Sequence, residues 1–317
     1  MHIACAVDRI NFSFNPGASL MVIRLPMTRF LMRLVASTAV SLGFFLSPAT
    51  TLAQTAPIAP LAPDAKSGPI APPAPSWQIT LKPAVWAPSL AGDLQLPGGN
   101  GVAAVERFNI TDIQPTALGR FEIRRGKLSI VGSGFGFTLD ERTATDSNQS
   151  LGGLSFSTGQ AVNAEFDLLS AEVTAGWRVW DRTLGPKKSD KKVTLNVDAF
   201  GGLRAYNLNT SFGMVGGAVR GSDNTFIEPI VGSRLTVNIL ENFGFFLTLD
   251  GGGMPIGNHT STSFNIVTGI HWSPWRHVGF EFGWRQLSVD LQDGGGSNKT
   301  EFNGQLAGII GSIVIQF

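Results

Sequence analysis

The residues of this chain that could carry covalent chemistry are few, and their spacing is poor. His271 and Ser273 form a His-x-Ser with Glu281 nearby in sequence. These are the residue types of an acyl-transfer triad, in which an acid orients a base and the base activates a hydroxyl. They lie in a short His-Trp-Ser-Pro-Trp turn whose flanking residues do not match a hydrolase motif, so ordinary turn residues are the preferred reading. His259 has no adjacent Asp-x-His pairing to make it the base for an activated water, and it reads as a solvated loop residue. Gly132-x-Gly134-x-Gly136 mimics part of a phosphate loop, but the run is strand-like and no helix follows. Glycine there is expected to let a bulky neighbour cross the interior. Asp290, Asp293 and Gly294 to Gly296 lack the spacing of a calcium loop. Lys187, Lys188, Lys191 and Lys192 read as a solvated turn. No catalytic residue, metal site or cofactor is expected.

What remains is a set of charges on the polar faces of strand-like segments. Six are arginines: Arg120, Arg124, Arg178, Arg204, Arg234 and Arg285. Six are carboxylates: Glu122, Glu172, Asp198, Glu228, Asp250 and Glu281. The signs balance. Enclosed in a narrow interior, unpaired charge is costly, so the preferred expectation is a cross-strand lattice of Arg-carboxylate pairs that fills the lumen. The competing expectation is a restricted water path lined by the same twelve residues.

The elements that must position these charges follow from composition and period. The chain has a formal charge of +1, 43% hydrophobic and 15% charged residues, 38 glycines and one cysteine. Few charges and a neutral balance argue against a disordered chain and against a nucleic-acid binder. Beyond the N-terminal region no run of about 20 apolar residues offers a spanning helix. From Trp77 the hydrophobic period is two, in segments of about ten residues, which is the pattern of a transmembrane β-barrel. Ten strands are predicted, near 77–87, 116–125, 127–139, 162–180, 193–208, 226–239, 243–250, 262–272, 277–289 and 302–317. The connections alternate: long at 88–115, 140–161, 209–225, 251–261 and 290–301, and short at 125–127, 240–242 and 273–276, with 181–192 the exception. An antiparallel up-and-down barrel of about ten strands (8–12), with both termini on the short-turn side, is the fold expected. That topology also splits His259, His271 and His277 between opposite ends, away from any shared zinc.

The alternation breaks around Leu168 to Ser170, where Glu165 and Asp167 fall on one parity and Glu172 and Arg178 on the other. A β-bulge is expected there. Trp77, Trp86, Trp177, Trp180, Trp272, Trp275 and Trp284 are expected at headgroup level. Pro88 to Pro115 carries two strand-like runs, 90–96 and 102–110, which could form a hairpin above the membrane, a plug in the lumen, or two further barrel strands.

The chain ends organise its delivery. Arg29 and Arg33, the apolar run Leu34 to Leu46 and the small-x-small Thr51-Leu52-Ala53 compose a secretory signal peptide cleaved after Ala53, preceded by an over-extended start. Residues 1–53 are therefore leader, 54–76 a Pro-rich periplasmic linker and 77–317 the barrel. Cleavage removes Cys5, the one cysteine, and with it all thiol chemistry. Phe317 is the last residue, and Ile309, Ile313 and Ile315 share its face at period two, in the manner of a C-terminal β-signal.

Several stretches resemble a family of uncharacterised proteobacterial outer-membrane β-barrel proteins. They are GRFEIRRGKLSIVGSGFGFTLD (Gly119 to Asp140), DAFGGLRAYNL (Asp198 to Leu208), EPIVGSRLTVNI (Glu228 to Ile239), LTLDGGG (Leu247 to Gly253) and EFGWRQLSVDL (Glu281 to Leu291). Trp284 stands where that family often has Tyr. The resemblance implies fold and outer-membrane location and no activity. The expectation is a monomeric, non-enzymatic barrel of the Gram-negative outer membrane. Its partners would be outer-membrane lipid, lipopolysaccharide and the barrel assembly machinery, which takes the C-terminal strand; nucleic acid is excluded. Its function would be a passive narrow channel or a structural barrel, with a surface-loop binding or adhesion module as the alternative. A lipid-modifying or proteolytic barrel enzyme is least favoured, since omptin-type proteases resemble the chain in strand number only.

Overall fold

The computed structural model describes residues 76–110, 112–185, 193–240 and 242–317. The expected leader, nearly all of the Pro-rich linker and the four-lysine turn lie outside the described residues. The strands are β1 (Trp77–Gln95), β2 (Val102–Ala104), β3 (Thr116–Arg125), β4 (Leu128–Ala144), β5 (Gln149–Leu151), β6 (Leu154–Phe156), β7 (Ala161–Leu184), β8 (Val193–Met214), β9 (Val219–Leu240), β10 (Phe243–Ile256), β11 (His259–Trp272), β12 (Val278–Asp293) and β13 (Thr300–Gln316).

Each long strand pairs antiparallel with its neighbour, and β13 pairs with β1, so the sheet closes on itself. β2 only adds to the tip of β1 and β5 pairs only with β6, which leaves a ring of ten strands. The all-β, antiparallel up-and-down barrel is thus the fold observed. Closure abolishes the edges that an open sheet would expose. At the seam the backbone of Phe317 exchanges hydrogen bonds with Ile79 at 2.9 and 3.3 Å. Ile309, Ile313 and Ile315 face outward from the same strand, with Ile309 and Ile313 exposed. Farther along the seam Gly92 takes φ +142°, and a Cβ there would lie 2.4 Å from the Asn303 carbonyl oxygen. Only glycine suits that close approach.

The strands outrun their predicted lengths at one end. Residues 251–261, expected as a loop, are the continuation of β10, a two-residue turn and the start of β11. Residues 209–225 are likewise a hairpin of β8 and β9. Glycine, serine and asparagine enrich these stretches and carry weak strand signals. The pairing of neighbours across a closed ring overrides that local weakness.

The expected bulge at Leu168 to Ser170 is absent: β7 runs in unbroken register from Val162 to Arg178, and its register shift falls between Arg178 and Trp180. What changes along the strand is polarity. On the inward parity Val162, Ala164, Phe166 and Leu168 give way to Ser170, Glu172, Thr174 and Arg178. On the outward parity Asn163, Glu165 and Asp167 give way to Leu169, Val173 and Trp177. The same inversion recurs on β12, where Phe280, Phe282 and Trp284 face out below Gln286, Ser288 and Asp290, and on β8, where Leu203 faces out below Asn207 and Asn209.

The ring therefore has two halves of opposite polarity. The half toward the start of β1, the end of β13 and the short turns is polar within and apolar without, the arrangement a barrel needs in hydrocarbon. The other half is apolar within and polar without, like a water-soluble barrel. Trp77, Trp177, Trp180, Trp272 and Trp275 are exposed around the turn end, and Trp284 lies outward where the polarity inverts. Trp86 departs from the expected headgroup position: its even parity on β1 sends it inward, where it is fully buried edge-on to Phe135.

Candidate functional site: a two-part lumen

In the half away from the short turns, called the outer half, the inward side chains pack into one apolar cluster. Leu90, Phe137, Phe166, Leu208, Phe226, Leu287 and Phe302 belong to it, with Phe166 set edge-on to Phe137 and Phe302 at centroid distances of 6.1 and 4.9 Å. Aromatic edges against faces add to the area they bury.

Two loops roof this cluster. The segment after β1 forms β2 and a short 3₁₀ turn, Val105–Phe108, and sends Val105, Phe108 and Ile110 inward. The connection from β4 to β7 forms the β5–β6 hairpin and contributes Leu151 and Phe156. Phe108 touches both Phe156 and Phe212, with centroids 5.5 and 5.1 Å away. The two loops also join through backbone, Asp146 N–H donating to the Arg107 carbonyl at 2.9 Å, and Gly98 N–H donates to the Ser297 carbonyl of the β12–β13 connection at 2.8 Å. A Cβ on Gly153, at φ +74°, would sit 2.2 Å from the Gly98 carbonyl oxygen. Residues 88–115 are thus part strand, part hairpin and part lid. They add no barrel strands.

The turn-side half encloses a polar chamber of about 780 Å³ that runs from the middle of the barrel down to Asn242 and the turn Ser273 to Arg276. All twelve charged residues predicted for the polar face point into the lumen. Ten line the chamber, and Arg204 and Glu228 sit above it, 1% and 0% exposed. Cross-strand register creates the lattice directly. Lys82, Arg120, Ser133, Glu172, Arg204 and Glu228 occupy successive facing positions across six strands.

The charges form three groups. Arg204 donates to Glu172 at 2.8 Å, to Asp250 at 2.5 Å and to Ser263 at 3.0 Å, while Glu228 accepts from Ser261 at 2.7 Å and from Ser263. Glu122 accepts from Arg120, Arg124 and Arg234 at 3.3, 3.0 and 3.3 Å, and Asp198 from Arg124 and Arg178 at 3.1 and 3.0 Å. Lys82 donates to Glu281 at 2.5 Å. Multidentate pairing of this kind offsets the desolvation that each buried ion suffers.

Two lining cations escaped the sequence reading. Lys82 shares the inward parity of Gln78 and Thr80, a signal that was present in the alternation with Ile79 and Leu81. Arg276 lies in a turn, where no periodicity marks direction. With them the lining holds, among the described residues, seven cations, Lys82, Arg120, Arg124, Arg178, Arg234, Arg276 and Arg285, against five carboxylates. Arg204 and Glu228 behind the lining cancel, so the balance predicted from twelve residues becomes an excess of positive charge.

The other sequence candidates take definite places. Glu281 is engaged by Lys82 and by Ser312 at 3.3 Å, and among the described residues the His271 side chain makes no hydrogen bond. His259 is not the isolated loop residue expected: it opens β11, stacks on Phe226 at 4.8 Å and lies 2.9 Å from Asp293 Oδ1 across the hairpin. Its acid arrives from 34 positions downstream, beyond the reach of local spacing. Gly132, Gly134 and Gly136 have outward parity, because β4 points Val131, Ser133, Phe135 and Phe137 inward. They thin the outer wall and do not give room to a lumen neighbour. Among the described residues no three His, Cys, Asp or Glu side chains converge to hold a metal.

No family model matches the chain, and no curated protein matches it. Solved structures with a similar course include the outer membrane protease OmpT from Escherichia coli, 8% identical, covering 76% of this chain and 97% of that one at a TM-score of 0.38. Neisserial surface protein A is 14% identical, with 76% and 97% covered and a TM-score of 0.28. The Pseudomonas putida toluene transporter TodX is 8% identical, with 77% and 90% covered and a TM-score of 0.27. Likenesses this distant leave the functional reading to the geometry of the lumen.

Proposed function

We propose that the protein is an integral outer-membrane barrel that does not conduct, and that carries a rigid polar platform beyond the membrane surface. The observation that carries this reading is the apolar core of the outer half, from Phe166 and Phe302 up to Phe108 under the roof. A water path needs polar walls or a bore wide enough to stay wet, and small barrels are commonly filled by side chains. In this reading the termini and short turns face the periplasm after signal cleavage. The apolar belt meets lipid and lipopolysaccharide, β13 is the strand the assembly machinery takes up, and the monomer is the working unit. The outward polar residues of the far half, such as Asn207, Gln286 and Asn303, then stand in water as a binding or adhesion surface. The barrel is non-catalytic: Glu281 is committed to Lys82 and away from a His-Ser pair, and the His259–Asp293 pair sits open on the rim.

Planar-bilayer recording on the refolded mature protein tests the seal, with a heat-modifiable gel shift showing that the barrel has formed. Silence from folded protein is expected. Discrete conductance steps would overturn the reading and make the chamber one part of a pore.

A further inference from the structure

The chamber holds more cationic hydrogen-bonding capacity than its own carboxylates use. Glu172 and Asp250 are taken up by Arg204, Asp198 by Arg124 and Arg178, and Glu281 by Lys82. Glu122 is shared among three arginines. Among the described residues no carboxylate hydrogen-bonds Arg285. Its residue exposure is 8%, it donates from Nε to Asn265 at 3.1 Å, and its guanidinium lies over the rings of Trp86 and Phe135 at 4.6 and 4.9 Å. Its two terminal amino groups have no hydrogen-bond partner among the described residues, and the residue lines the chamber where the chamber meets the apolar core. Arg120, on the same chamber, has a buried Nε without a partner and one bond, to Glu122 at 3.3 Å.

A buried guanidinium fixed by two rings and an amide is a preorganised fork for an oxyanion. Among the described residues, seven lining cations against five carboxylates leave an excess that matches a dianion. The chamber of about 780 Å³ has room for a small solute and opens toward the turn end. We propose that this chamber is a binding cup for a phosphate-class dianion, free or borne by a small molecule, held by Arg285 at its ceiling with Arg120 beside it. The inference goes beyond the sealed-barrel reading and is independent of it. A barrel that conducts and still binds phosphate would sink the first and leave this one standing.

The test is calorimetric titration of the full-length mature barrel, folded in zwitterionic detergent, with inorganic phosphate at pH 8. Saturable binding of one phosphate per barrel is expected, with chloride at equal ionic strength giving none. Arg285→Gln should weaken binding by ten- to a hundredfold, the usual range for loss of a charge-assisted bond. If that variant does not show the folded gel shift, Arg120→Gln decides in its place, with a loss of at least tenfold expected. A phosphatidate carried in the same micelles distinguishes the source of the phosphate group: competition with inorganic phosphate would assign the cup to a lipid headgroup, and no competition to a free solute. No saturable binding to folded wild-type protein, or an affinity unchanged in the folded variant, overturns the proposal.

Discussion

The two halves of the lumen are built on the same strands yet held together by opposite means. Along β7 the inward positions Phe166 and Leu168 pack among apolar side chains, Ser170 lies between Phe135 and Tyr206 in register, and Glu172 enters a network of ions. The outer half is stabilised by area removed from water, a non-directional force that tolerates changes of shape better than changes of polarity. The turn-side half keeps its outward apolar residues exposed, and in the proposed reading they meet lipid, so burial of apolar surface there contributes less. Its cohesion comes from cross-strand pairs whose partners must all be present. The inversion has a geometric reason. A strand that passes from membrane to water must exchange its lipid-facing residues for polar ones, and a closed ring without an aqueous bore must then fill its interior with the apolar residues released from the wall.

The largest expected effect comes from placing the chemistry of one half in the other. Leu168 faces Leu208 and Phe137 in register, one turn of the pleat above Ser170. Leu168→Glu puts an unpaired carboxylate among these side chains, and the cost is several kcal/mol. Loss of the heat-modifiable band on refolding is the expected result, whereas Thr174→Glu, on the same strand and lining the cation-rich chamber, should still fold. Next in size is removal of one member of the lattice: Arg204→Ala leaves Glu172, Glu228 and Asp250 buried without their shared cation, at about 3–5 kcal/mol. Urea titration of the folded barrel in lipid should show it as a lower midpoint. Outside the barrel the contrast reverses. Val173→Lys, on the lipid-facing wall of the same strand, should cost about 2–4 kcal/mol, whereas Glu165→Lys, outward in the polar half, should stay within about 0.5 kcal/mol. Equal costs at the two sites would dissolve the division into halves.

How far these features could be read without coordinates depends on what period two encodes. Alternation reports that a strand has two unlike faces, and it located all ten strands of the ring. It does not report which face is inside. Around Leu168 a reversal of polarity at constant register looks the same in sequence as a one-residue slip, and the slip is the familiar device. The direction of β1 is legible in Gln78, Thr80 and Lys82, yet the same parity sends Trp86 inward, where residue type alone predicts the headgroup layer. The twelve lumen charges were legible because each sits opposite apolar neighbours on its own strand. Their partners were not, since Arg124 meets Asp198 from 74 positions away and Arg234 meets Glu122 from 112. Only closure of the ring brings such residues together.

The smallest expected effect sharpens the same comparison, because it concerns a polar contact of similar length at the opposite end, an ion pair only where His259 is protonated. His259 and Asp293 meet at 2.9 Å on the rim, but their side chains are 44% and 43% exposed. Water competes for both groups there, and an exposed pair contributes from nothing to about 1 kcal/mol. Asp293→Asn should therefore move the urea midpoint by a small fraction of the Arg204→Ala shift. High salt, which shortens the screening length to about 3 Å at 1 M, should erase the rim contribution and leave the Arg204 group unchanged. A large, salt-insensitive loss in Asp293→Asn would mean that the rim is as closed to solvent as the core, and the polar platform would have to be redrawn as a covered surface.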